Sequence, residues 1–152
     1  NNLYAMGTAL SRSEAQTDLC LKAASYGVSA LRVDGQDVVA VHRTTCAALE
    51  RLRNDGVPVL VEYQTYRYRA HSMFDPELYR DKSEVEAWKS RGPLHTYSAR
   101  LKAEGRFSEA EFLALDSLVR DEVEDAVAYA ESGTWEPIDE LMRAVHTAPP
   151  VA

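Results

Sequence analysis

Between Thr65 and Arg80 the chain reads TYRYRAHSMFDPELYR, which gathers Arg67, Arg69 and Arg80, His71, three tyrosines and an Asp75-Pro76 pair in a protein of formal net charge −7. Guanidinium groups offer planar donor forks that match phosphate or carboxylate better than a lysine does, so Arg67, Arg69 and Arg80 point to an anionic ligand. His71 is the one group in the stretch whose ordinary pKa, near 6.5, lets it give or take a proton around neutrality. Asp75-Pro76 is suited to pinning a loop, the carboxylate accepting backbone N–H groups and the proline fixing φ. A structural reading of the same residues stands beside this one: Tyr66 and Tyr68 capping a core, Arg80 paired with Asp81 or Glu84, His71 in solvent. A second group lies at Asn1-Asn2-Leu3-Tyr4, ahead of the small-residue run Ala5 to Thr8. Amide oxygens and freed carbonyls suit a hard cation such as magnesium, which also needs a carboxylate for useful affinity, and none is near in sequence. By itself the asparagine pair reads as a turn.

The elements that must position these groups follow from periodicity. Ser11-x-x-Glu14 is a capping-box pattern and predicts a short helix over 13–25, stopped by Gly27. Ala30 to Val33 reads as a strand closed by an Asp34-Gly35 turn. Val38, Val41, Thr45, Ala48, Leu49 and Leu52 recur at helical spacing up to Asn54-Asp55-Gly56. Val57 to Tyr63, VPVLVEY, is a near-continuous apolar run of the kind found in strands covered on both faces. Strand, helix, strand is a right-handed parallel crossover, and ligands of open α/β sheets bind beyond the carboxyl ends of the strands, which is where 65–80 falls. Ser83-x-x-Glu86 predicts another helix through Trp88, with a further one over 93–104. Ser108-x-x-Glu111 predicts the longest, with Phe112, Leu115, Val119, Val123, Ala126 and Ala130 as one stripe, roughly 37 Å in length. Such a helix has more apolar edge than a small sheet covers, so part of it is expected to meet another subunit. The expected class is α/β: a partial parallel sheet with flanking helices over 1–80, followed by a helical segment over 81–152 that packs on the domain and a partner. Two strands are a poor sheet, so the α/β part reads as the closing half of a domain.

The 152 residues are 45% hydrophobic and 27% charged, which excludes collagen-like and disordered classes. The acidic balance argues against nucleic-acid and membrane-surface partners. Cys20 and Cys46 match no metal spacing and read as buried small hydrophobes of a reducing compartment, so a cytoplasmic location is expected. His42, His95 and His146 read as structural. No apolar run reaches the length of a membrane span. A P-loop, a CxxC pair and a serine triad pattern are all missing from the sequence, as are a signal-peptide pattern and an initiator Met, which suggests processing, trimming or a fragment.

NNLYAMGT, RVDGQDVVAV, VPVLVEYQTYRYRAHSMFDPELYR and EVEAWKSRGPL, in this order, closely resemble the carboxyl-terminal half of the alpha subunit of thiamine-diphosphate-dependent 2-oxo acid dehydrogenases, the pyruvate dehydrogenase type foremost. The resemblance implies that Asn2 is a side-chain magnesium ligand and Tyr4 a backbone-carbonyl ligand, the completing Asp lying upstream. It implies that Arg67 lies near the cofactor diphosphate, with Ser72 beside it at the position a regulatory kinase modifies in mitochondrial members. His71 is implied to assist proton transfer as an acyl group passes to a lipoyl arm, and Asp75 to order the loop. Thiamine diphosphate and magnesium are the implied cofactors; a beta subunit, a lipoyl acyltransferase and a 2-oxo acid, most naturally pyruvate, are the implied partners. Acetoin and branched-chain dehydrogenase alpha subunits share this plan, and a noncatalytic fragment is the alternative from another class. Ala70 and Phe74 depart from the family's usual Gly and Ser. A glycine there would suit positive φ, so Ala70 predicts either strain or a different loop path.

Overall fold

The computed structural model describes residues 1–143 and residue 145; His146 and the terminal TAPPVA lie outside the described residues. Two compact units are distinguished, Asn1–Phe107 and a second beginning at Ser108.

The first unit opens with a two-stranded antiparallel hairpin, β1 (Tyr4–Ala5) and β2 (Thr8–Ala9), with Tyr4 opposite Ala9. Its turn has positive φ at Met6 (53°), and Leu3 (70°), just ahead of β1, has it too, a conformation that side chains adopt at a cost and that no residue pattern announces. A single helical turn, α1 (Leu10–Ser13), follows. The capping box expected at Ser11 and Glu14 does not form, since both lie at or inside the end of that turn. The helix proper, α2 (Leu19–Ser25), begins after Asp18, whose carboxylate accepts the N–H groups of Cys20 (2.9 Å) and Leu21 (3.2 Å), while Glu14 pairs with Lys22. This is an ordinary aspartate N-cap that outcompetes Ser11, seven residues earlier.

β3 (Ser29–Asp34) and β4 (Val59–Gln64) pair in parallel, Ser29 opposite Val59 through Asp34 opposite Gln64, with α3 (Val38–Asp55) as the crossover. Asp37 caps α3 through the N–H groups of Val39 and Ala40, and Gly56 at φ 65° ends it. Gly35 is required where the two strands end: its N–H donates to the Gln64 carbonyl at 2.8 Å, and a Cβ would lie 2.6 Å from that oxygen. Asn1 adds a third, parallel contact on the other edge of β4, its N–H donating to Tyr63 O (2.9 Å) and its C=O accepting from Thr65 N–H (2.8 Å).

α4 (Lys82–Lys89) and α5 (Pro93–Ala103) complete this unit's helices. α4 takes Asp81 as its N-cap position, without a side-chain cap bond, so Ser83 lies within the first turn and the expected Ser83/Glu86 box is not used. Among the described residues Val85, Tyr66 and Ala23 are the buried apolar ones, whereas Leu49, Leu52, Val57 and Leu60 of the α3/β4 layer each remain more than a third exposed. The covering expected on both faces of β4 is therefore incomplete within this chain. Cys20 is half-buried and Cys46 exposed, so Cys46 is not the buried small hydrophobe the sequence suggests.

In the second unit, α6 (Glu109–Glu131) has the expected capping box, Ser108 accepting from Glu111 N–H while Glu111 accepts from Ser108 N–H. Leu115, Val119 and Val123 on its stripe are half exposed. A 3-10 turn, Ile138–Glu140, follows. Among the described residues no helix is long and apolar enough to cross a membrane.

Candidate functional site

The asparagine corner is built by consecutive side-chain turns. Asn1 Oδ1 accepts from Leu3 N–H (3.0 Å) and Asn2 Oδ1 from Tyr4 N–H (3.3 Å), which together hold Leu3 in its left-handed conformation. Uncompensated, that conformation costs about 1–2 kcal/mol, and residues kept in it by surrounding bonds concentrate at functional sites. Leu10 N–H donates to Leu3 O, so the register leaves Tyr4 in a non-hydrogen-bonded pair whose own N–H and C=O turn away from β2. Asn2 Oδ1 and the Tyr4 carbonyl are thus two neutral oxygen donors on residues flanking Leu3, the donor type magnesium takes, though fewer than its six. Among the described residues no cluster of three His, Cys, Asp or Glu side chains could hold a metal by itself. Glu62, which is bonded to Asn1, has both oxygens engaged, so it is not the completing carboxylate that the resemblance implies.

Glu62 projects from β4 with only 3% of its side chain exposed. Oε1 accepts from Asn1 Nδ2 at 2.6 Å, and Oε2 accepts from Arg32 Nε at 2.7 Å. Arg32 in turn reaches Asp18 Oδ1 at 2.7 Å, and the Cys20 thiol lies 3.9 Å from Oε2. Burial alone would raise the Glu62 pKa, but the Asn1 amide and the Arg32 guanidinium outweigh it and hold the carboxylate below its ordinary range.

Tyr4 fastens the corner to the loop base. Its hydroxyl donates to the Glu84 carboxylate (3.0 and 3.2 Å), and its ring meets Tyr79 at 5.6 Å and, edge on, Tyr66 at 6.2 Å. Burial and then Glu84 push the phenol up to about 12. Tyr66 stacks on Trp88 at 5.2 Å, its hydroxyl buried with no hydrogen-bond partner among the described residues.

The loop leaves β4 at Thr65, whose N–H is bonded to Asn1, and runs to Arg80. Arg80 is not the free anion fork its type suggested, nor is it paired with Asp81 or Glu84. With 3% of its side chain exposed, it donates from Nη1 to Arg67 O (2.6 Å), from Nη2 to Tyr68 O (2.9 Å), and from Nε and Nη2 to the Glu77 carboxylate (2.9 and 2.7 Å). Its guanidinium also lies over the rings of Tyr66 and Tyr79. One side chain therefore ties the two ends of the loop together, and sequence composition gives no sign of which donors main-chain carbonyls will consume. The neighbouring Glu77, three residues back, was the available signal.

Within the loop, Arg67 Nη1 lies 3.1 Å from His71 Nδ1. A guanidinium can only donate, so Nδ1 accepts and the neutral ring carries its proton on Nε2. Arg67, Arg69, His71 and Ser72 are all exposed. Ser72 Oγ accepts from Phe74 N–H (3.2 Å), and Asp75 Oδ1 accepts from Glu77 N–H (2.9 Å), which makes Asp75 the turn-forming carboxylate expected of it. Ala70 is not in the positive-φ region; Glu77 is, at 56°. The strain anticipated at Ala70 is absent, and the loop turns seven residues later instead. Phe74 and Met73 are almost wholly in solvent. The sequence-derived site residues thus form two pairs, Asn2 with Tyr4 and Arg67 with His71, joined through the Asn1–Thr65 bonds rather than by direct contact. His42 and His95 are exposed and lie elsewhere.

A family model described as dehydrogenase E1 component matches residues 1–138. The chain is 43% identical over 142 residues to the pyruvate dehydrogenase E1 component subunit alpha of Rhizobium meliloti, covering 93% of this chain and 41% of that protein. It is 36% identical over 146 residues to the protein of the same name from Rickettsia conorii, covering 96% and 45%. The testis-specific mitochondrial form from Rattus norvegicus is 36% identical over 153 residues, covering 99% and 39%. The chain spans less than half the length of these relatives. With a match that runs through the asparagine corner, the crossover, the arginine-histidine loop and α6, the chain belongs to the dehydrogenase E1 component family.

Proposed function

We propose that the chain is the carboxyl-terminal part of the alpha subunit of a thiamine-diphosphate-dependent 2-oxo acid dehydrogenase, acting on pyruvate in the cytoplasm and passing the acyl group to a lipoyl arm. The observation that carries this reading is the bonding of the asparagine corner to the base of the arginine-histidine loop, in a chain that matches the family over nearly its full extent. The donor set fits the cofactor: two neutral oxygens for magnesium, and a guanidinium for a diphosphate. Asn2 and the Tyr4 carbonyl would hold the ion, with a carboxylate from outside this chain's described residues. When bound, thiamine diphosphate supplies the electron sink for decarboxylation.

The chain's own residues bind, orient and manage protons. Arg67 spends Nη1 on His71 and keeps Nη2 and Nε for an anionic oxygen. His71 presents Nε2–H outward from an exposed loop, where an incoming sulfur or oxygen can accept from it. Full proton donation requires the ring to be charged and Arg67 to leave Nδ1. Ser72 sits one residue from His71, and a phosphate there would add nearly two negative charges and place strong acceptor oxygens beside the Phe74 N–H that now donates to Oγ. The beta subunit and a lipoyl acyltransferase are the partners this reading requires, and the exposed stripe of α6 offers apolar surface for the first.

The test is a panel of pyruvate, acetoin and branched 2-oxo acids with the complete alpha subunit, its beta partner and an artificial electron acceptor. The highest kcat/KM is expected for pyruvate. Preference for acetoin or a branched acid reassigns the substrate, and turnover of none of them overturns the reading.

A further inference from the structure

Glu62 is a buried carboxylate that the proposed chemistry does not use, and its bonds form a chain of fixed polarity. Arg32 Nε can only donate and the carboxylate can only accept, so Oε1 of Glu62 must face a donor at Asn1. That requirement turns the Asn1 carboxamide so that Nδ2 faces Glu62 and Oδ1 faces Leu3 N–H. The Leu3 turn depends on this orientation, for Oδ1 is the acceptor that stabilises φ 70°. Leu3 stands between Asn2 and Tyr4. The charge on Glu62 therefore fixes, through one amide, the backbone turn that sets two oxygen donors side by side.

We propose that Glu62 is the positioning residue of the asparagine corner, acting through Asn1 to hold Asn2 Oδ1 and the Tyr4 carbonyl in the arrangement that takes a divalent cation. This rests on the cofactor reading above. Glu62→Gln keeps shape and volume but reverses the pattern. Arg32 claims the Gln oxygen, the Gln Nε2 then faces Asn1, and Asn1 must flip its amide, setting Nδ2 against Leu3 N–H, donor against donor. Outer-shell partners of metal ligands typically change affinity by 10–100-fold. A second substitution restores the alternation: in Glu62→Gln with Asn1→Asp, the new carboxylate accepts from Gln Nε2 on one side and from Leu3 N–H on the other. No such compensation follows if Glu62 is merely part of the core.

The experiment measures Mg2+ binding by calorimetry at saturating thiamine diphosphate, and melting temperature without ligand, for the complete alpha subunit assembled with its beta partner. Four proteins are compared: wild type, Glu62→Gln, Asn1→Asp and the double variant. Glu62→Gln is expected to weaken Mg2+ binding by roughly 10–100-fold. The double variant is expected to recover most of that loss, while Asn1→Asp alone, which sets two carboxylates face to face, gains nothing. Unchanged Mg2+ affinity in Glu62→Gln overturns the inference while leaving the cofactor reading intact. So does a double variant as weak as Glu62→Gln, or an Asn1→Asp variant that binds tighter than wild type. A wild type that takes up no Mg2+ with thiamine diphosphate overturns the cofactor reading itself, and the inference with it. If Glu62→Gln fails to assemble, recovery of both assembly and Mg2+ binding in the double variant still supports the inference, and recovery of assembly without Mg2+ binding overturns it.

Discussion

Arg80→Lys keeps the positive charge and most of the aliphatic stem but removes the fork that closes the loop. In the structure the guanidinium reaches the Arg67 and Tyr68 carbonyls from separate nitrogens while still gripping Glu77. A lysine ammonium at the same place can keep Glu77 and one carbonyl, so the minimum loss is one charge-assisted hydrogen bond. Glu77 is about one-third exposed, so its arm is screened and is left out of the count. The Arg80 side chain is almost wholly buried, so the lost carbonyl bond counts in full, at about 1.5–3 kcal/mol. If the bond exists only in the closed loop, the open population rises roughly tenfold to a hundredfold, since 1.4 kcal/mol is a factor of ten. Hydrogen exchange of the backbone amides over 67–79 reads that population directly, with Trp88 fluorescence as a second probe because Tyr66 stacks on it beneath Arg80. Exchange rates equal to wild type across the loop would refute the clamp and return Arg80 to the role of an anion receptor.

Other expectations concern the same region. The depressed pKa of Glu62 has a definite sign: its contribution to stability is full above the ordinary glutamate range, about 4.3, and is lost as pH falls through the lower folded value. Melting temperature should therefore fall below about pH 4.3 more steeply in wild type than in Glu62→Gln. His71→Ala should retain thiamine diphosphate binding and lose acyl transfer to lipoamide; wild-type transfer would remove His71 from the chemistry. Gly35→Ala places a Cβ 2.6 Å from the Gln64 carbonyl and should cost about 1–3 kcal/mol in denaturant unfolding, with less than half a kcal/mol showing that the strand ends are looser than described.

The parts of this molecule that were legible in sequence are those set by local period. β4, α3 and α6 appear where their apolar spacing places them, because burying a repeated face decides register whatever lies further along the chain. Capping patterns were only partly legible: Ser108 performs as its box suggests, Ser11 loses its helix to the side-chain cap of Asp18, and α4 starts one residue ahead of Ser83 with no side-chain cap at all, since a capping pattern states that a start is allowed and not that the chain takes it. The hairpin was not legible, because its entry and its turn rest on positive φ at Leu3 and Met6, which is imposed by bonds and packing rather than residue preference. The same limit applies at the site. Residue type marked Arg67 and His71, and only the family resemblance marked Asn2 and Tyr4, while the commitments of Arg80 and Glu62 depend on partners that composition does not reveal, such as Asn1 and Arg32 for Glu62.

On the proposed function, the asparagine corner and the arginine-histidine loop serve one diphosphate and its metal. A crystal structure of the assembled enzyme with thiamine diphosphate and Mg2+ tests it directly. The expected result is an ion about 2.1 Å from both Asn2 Oδ1 and the Tyr4 carbonyl, with a diphosphate oxygen within hydrogen-bond reach of Arg67. An ion held elsewhere, or a diphosphate out of reach of Arg67, would contradict it.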